Sequence, residues 1–106
     1  MNDLRCDFCS APWPMWRYPA RSFIAYVAAN LAGESVGHWA ACDACHLLIE
    51  ADDRAGLAQR SLDELILKHP EARAASDILL HDLADLHRRF FEHRSGPAVP
   101  IAVAVA

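Results

Sequence analysis

Cys6-Asp-Phe-Cys9 and Cys42-Asp-Ala-Cys45 are the stretches whose reading decides the fold. They hold all four cysteines of a 106-residue chain, each couplet as C-x2-C, with thirty-two residues between Cys9 and Cys42. A long loop has to close to bring the couplets together. A tetrahedral zinc ion supplies the reason, because four thiolates at about 2.3 Å satisfy it and leave no open position for chemistry. Cys6, Cys9, Cys42 and Cys45 are therefore the expected ligands of one structural Zn2+. Competing uses of these cysteines account for less. The first ten residues are polar and no apolar run approaches about 18 residues, so neither a secretory signal nor a membrane span is expected. A cytoplasmic protein follows, and reduced thiols there favour metal over disulfides. Cys42-Asp-Ala-Cys45-His46 also matches the c-type haem attachment motif. Attachment would need export, and haem would leave Cys6 and Cys9 without a role. A dithiol redox function would treat separately two couplets that one metal ion explains together.

Outward from the couplets, each segment has its own signal. Cys6–Cys9 is a tight knuckle whose backbone N–H groups point at sulfur, with Ser10 small enough for the turn. Ala11 to Arg21 holds three prolines, two Trp, a Tyr and two Arg. It is expected to form neither a helix nor a central strand. Its aromatics either roof the zinc site or present a surface, and Trp13, Trp16, Arg17, Tyr18 and Arg21 are the candidate partner surface. Ser22–Ala28 reads as a strand, with Phe23, Ala25 and Val27 on one face. Asn30 to Gly37 carries turn signals, and a return strand near His38–Ala41 would complete a hairpin and deliver Cys42. Asp43–Ala51 then forms a short helix with Asp43 and Cys45 in its first turn, where the helix dipole favours negative charge.

Beyond it, Asp52 and Asp53 are N-cap candidates for a second helix. Leu57, Ala58, Ser61, Leu62, Leu65 and Ile66 line one face of that helix. Pro70 ends it and is suited to open a third. The third helix, about Glu71 to Arg94, carries Ala75, Leu79, Leu83, Leu86 and Phe90 as a stripe, with Ile78 and Phe91 beside it. Gly96-Pro97 closes it. His81, His87 and His93 recur every six residues, which spreads them around the helix as solvated positions. His46 is expected near the metal as a surface or supporting residue, and His38 as a hydrogen-bond donor to a ligand thiolate.

The expected fold class is α+β: a small zinc finger of knuckle, β-hairpin and helix, followed by an α-helical hairpin. Three parts follow, a four-cysteine module over 1–55, a helical hairpin over 56–95 packed on it or self-associating, and a flexible apolar tail over 96–106. The order of parts over residues 6–50 resembles the treble-clef zinc finger. Within that family, Cys6-Asp-Phe-Cys9-Ser10 and Ala41-Cys42-Asp43-Ala44-Cys45 are similar to the start and second couplet of the N-terminal zinc-binding domain of the ClpX unfoldase. The gap between couplets is longer here. The resemblance assigns Cys6, Cys9, Cys42 and Cys45 to zinc and implies dimerisation and protein binding.

Charge and composition narrow the function. The formal net charge is −4, and binding a dication through four thiolates would leave about −6. Neither half of the chain is basic, which argues against a general nucleic-acid coat protein. Apolar residues make up 54 %, enough for a packed core. No nucleophile with its base, no phosphate loop and no second metal-binding His or Asn pattern of a ββα-metal nuclease is evident. The chain therefore reads as a non-enzymatic adaptor or regulatory module that binds a protein partner or a second copy of itself, with no small-molecule substrate. The alternative is a nucleic-acid-binding regulator using segment 13–21.

Overall fold

The computed structural model describes residues 5–28, 31–35 and 37–101. Elements follow in the order β1 (Trp16–Tyr18), β2 (Phe23–Ala28), β3 (Leu31–Ser35), β4 (Trp39–Ala41), α1 (Asp43–Glu50), α2 (Arg54–Lys68), a 3-10 segment (Pro70–Ala75), α3 (Ser76–His93) and β5 (Val99–Pro100). The class is α+β, as expected.

The strand pairing differs from the expected hairpin. β4 pairs antiparallel not with β2 but with β1, in the register Trp16↔Ala41, Arg17↔Ala40 and Tyr18↔Trp39. β5 pairs with the other side of β1, so the sheet order is β4-β1-β5 and its centre is the segment that the prolines were expected to exclude from a central strand. The reason is spacing. Pro14 and Pro19 flank a proline-free run of four residues, and only positions inside the ladder need to donate to it. β2 pairs instead with β3, whose residues lie within the stretch expected to be a turn. A register shift between Ile24 and Tyr26 interrupts the regular alternation of this second pair. Asn30, where the turn signal begins, lies outside the described residues, and Gly37 takes the positive φ of 76° that the signal implied.

The helices follow their local signals closely. Cys42 is the N-cap of α1, in extended conformation, with its sulfur accepting from Cys45 N. At the other end, Asp52 N donates to Ile49 O and Asp53 N to Leu48 O, a Schellman closure with Asp52 in the left-handed region at φ 53°. Of the two N-cap candidates for α2, Asp53 is the one that caps, accepting from Gly56 N at 2.9 Å. Pro70 opens one 3-10 segment before the α-helix proper begins at Ser76, so Ala75 belongs to that segment and is exposed.

A single apolar cluster joins the couplets to the helical hairpin. It contains all four cysteines with Phe8, Tyr18, Ala20, Phe23, Trp39, Ala41, Ile49, Leu57 and Phe90. Phe90 of α3 is its hub, with ring centroids 5.0 Å from Phe8, 5.0 Å from Trp39 and 5.7 Å from Tyr18. Two expectations for the second half change accordingly. His87 is not a solvated helix position but is buried between Phe8 and Ser61; it lies one turn before Phe90, on the face that packs inward. The start of the apolar tail, taken as flexible from residue 96, instead adds β5 to the sheet edge, where Pro100 is tolerated. Residues 102–106 of that tail lie outside the described residues.

Candidate metal centre

The first couplet is held by its own turn and by β4. Ser10 N donates to Cys6 O, Cys6 N to Ala11 O, and Ser10 adopts φ 64° to let the chain double back. Asp7 clamps the knuckle to the edge of β4, its N–H bonding Ala40 O at 2.8 Å and its carboxylate accepting from Ala40 N at 2.7 Å. Within the knuckle, Phe8 N donates to Cys6 Sγ at 3.4 Å. The second couplet straddles the start of α1, where Cys45 N donates to Cys42 Sγ at 3.5 Å. The two couplets thus present sulfur from a turn and from a helix N-terminus, each with a backbone N–H bond that favours thiolate.

The four sulfurs lie within 4.8 Å of one another, and all four residues are buried. Cys9 and Cys42 are 3.6 Å apart at sulfur. Four thiolates around a tetrahedral ion at about 2.3 Å would have sulfur edges of about 3.8 Å, so this group needs little adjustment to hold one. Disulfides are not formed, and all four cysteines are free. The haem motif has no use in this setting, since Cys42 and Cys45 converge on Cys6 and Cys9 in the interior.

The electrostatics make the same point. Hydrogen bonds from Cys45 and Cys6 draw the Cys9 thiol far below its ordinary pKa. Cys45, bonded to Cys6 and Cys9 and buried with them, is driven far above its own. The buried sulfurs thus compete for protons. Four thiolates cannot coexist in this volume without a cation, and a bound dication would remove that conflict.

The histidines near the site have other tasks. His46 has partners of its own; its ring stacks on Trp16 at 3.8 Å and 9°, and its Nδ1 lies 2.7 Å from Tyr18 Oη. Tyr18 in turn donates to Glu50 at 2.9 Å, which leaves His46 Nδ1 as the donor to the phenol oxygen. Burial, with the hydrogen bond to Glu50 and its charge, raises the Tyr18 pKa, so the ring stays neutral and the network intact. His38 is exposed, and its Nδ1 accepts from Ala20 N rather than supporting a thiolate.

The candidate partner surface is divided by the fold. Trp13, Arg17 and Arg21 are exposed. Tyr18 is fully buried, and Trp16 is half-buried between His46 and a hydrogen bond to Asp43. The cause is strand alternation, since Trp16 and Tyr18 share the inward face of β1 while Arg17 takes the outward one. Two residues whose part here the sequence did not reveal belong to the site's surroundings, His87, expected as a solvated position, and Arg60. His87 closes the core behind the knuckle, and Arg60 of α2 donates through Nη2 to Cys42 Sγ at 3.8 Å. Their only local signal is proximity to apolar neighbours on the helix face, shared by several solvated residues.

Comparison of the chain with protein-family models, with curated proteins and with solved structures finds no significant match in any of the three.

Proposed function

We propose that this chain is a non-enzymatic, zinc-stabilised interaction module of adaptor or regulatory type, working in the cytoplasm through a protein partner or a second copy of itself. The observation that carries this reading is the closure of the cysteine group, with four buried sulfurs within 4.8 Å of one another. Catalytic zinc keeps a position for water or substrate, whereas an all-cysteine site surrounded by core side chains serves to hold a fold. No helix among the described residues is long and apolar enough to cross a membrane.

The order of parts supports a treble clef. A knuckle is followed by the antiparallel β1–β4 pair and then by a helix that opens on the second couplet. The β2–β3 pair sits as an insertion between the two paired strands, which would account for a longer gap than in the ClpX zinc-binding domain that residues 6–50 resemble. The working surface is separate from the metal. Trp13 is 82 % exposed and held at φ 63°, a conformation that costs a bulky residue about 1–3 kcal/mol. Met15 and Leu47 are also exposed. Large apolar side chains kept outside the core, one of them against backbone strain, fit a protein contact.

Metal content and mass settle the first half of this reading: one zinc per chain is expected, with thiol titration blocked until a chelator is added. Sedimentation over a concentration series tests the second, and a strict monomer that binds no apolar dye would overturn it. The nucleic-acid reading retains one favourable observation, the exposure of Arg17 and Arg21 beside Trp13. A salt-dependent shift of labelled DNA or RNA would support it, and no shift at low ionic strength would remove it.

A further inference from the structure

A tetrathiolate centre with one dication carries two net negative charges inside the core, and something must offset them. The N–H bonds from Phe8 and Cys45 supply dipoles but no charge. Arg60 projects from α2, an element that contributes no cysteine, and its Nη2 reaches Cys42 Sγ at 3.8 Å. Nε is buried and has no hydrogen-bond partner, an arrangement that natural interiors avoid unless a nearby charge compensates for it. Among the described residues no carboxylate is ion-paired with Arg60, and the side-chain partner its guanidinium reaches is the Cys42 sulfur. On α2 it lies one turn from Leu57, which is fully buried in the same cluster as the cysteines.

We propose that Arg60 is the charge partner of the metal centre, a positioning residue that bonds the Cys42 thiolate from the helical hairpin and lowers the net charge of the loaded site by one. The inference rests on the zinc reading and adds to it a reason for the hairpin to be packed where it is. Metal uptake creates negative charge beside the half-buried Arg60, so loading the site and seating α2 reinforce each other. Arg is suited to this position because its planar guanidinium holds its donors in a fixed geometry that can aim one of them at sulfur.

The test uses the full chain with Zn2+ and with Co2+ as the spectroscopic probe. Arg60→Met keeps the aliphatic stem that packs on α2 and removes the charge, Arg60→Lys keeps the charge, and Leu62→Ala loosens α2 away from the sulfurs. Affinity is read by competition with a chelator at fixed pH. The expected loss for Arg60→Met is about 10–100-fold, the range for removing a hydrogen-bond partner of a metal ligand, with Arg60→Lys recovering most of it. The thiolate-to-cobalt charge-transfer band should move to lower energy in Arg60→Met, because a thiolate without its donor is more electron-rich. Leu62→Ala should leave that band in place. If Arg60→Met binds zinc as the parent does, or if the band is unmoved and Arg60→Lys binds as weakly as Arg60→Met, the proposal is overturned and Arg60 is a packing residue. If the parent chain takes up neither metal, the zinc reading itself fails, and the two failures are told apart by the parent alone.

Discussion

His87 offers the sharpest quantitative test of how the two halves of the chain are joined. It is 2 % exposed, with Nε2 3.5 Å from Ser61 Oγ and Nδ1 buried without a partner. Because the Ser61 hydroxyl already donates to Leu57 O, it can only accept from the ring, which makes His87 a neutral Nε2–H tautomer. Burial lowers its pKa from 6.5 to about 4. The unfolded chain therefore binds the proton more readily. The stability this neutrality protects is fully present above the unfolded pKa and is lost as pH falls from 6.5 towards 4. Between pH 7 and pH 5 the loss from this residue is about 2 kcal/mol. Urea unfolding at both pH values, with zinc in excess, measures it against His87→Phe, which fills the site without a titrating group. Proton competition for the cysteines is common to both chains and cancels in the comparison. At pH 7 the variant should match the parent within about 1 kcal/mol, since the orphaned Nδ1 is removed with the ring. Equal losses in the two chains, or a ring signal titrating near 6.5 by NMR, would show that α3 is not seated on the knuckle as described.

Three further outcomes follow from the same packing. Chelation of the metal, or Cys45→Ser, should unfold the helical hairpin along with the finger, because structural zinc contributes about 10–16 kcal/mol and a domain has only about 5–15 to lose; far-UV circular dichroism that keeps its helical signal would contradict the shared core. Tyr18→Phe strands His46 Nδ1–H and removes the donor to Glu50, and should cost about 1–3 kcal/mol in denaturant unfolding with the metal still bound. Trp13→Ala should leave stability unchanged or slightly raised, within about 0.5 kcal/mol, while weakening association in sedimentation; equal association by the two chains would move the partner surface elsewhere.

The local features of this fold were legible in the order of residues. C-x2-C at a knuckle and C-x2-C at a helix start are short-range devices, and they bring Cys6, Cys9, Cys42 and Cys45 into one buried group. The three helical segments were equally readable, because caps such as Asp53 and stops such as Pro70 act within a turn of the residue that carries them. Strand partners were not. β1 to β4 is a pairing across some twenty residues whose competitor, β2 with β4, satisfies the same alternation, and nothing local separates them. The same holds for individual side chains. Tyr18 and Arg17 look alike as surface candidates until the strand's faces are assigned, and His87 looks like His81 until α3 is rotated onto Phe8. Arg60 acquires its meaning only where α2 crosses Cys42. Sequence alone thus determined the four-cysteine group that could hold a metal and the helices, whose causes lie within a few residues of each other. Tertiary structure decided the sheet, the buried histidine and the cation beside the sulfurs, because those depend on which distant surfaces exclude water together.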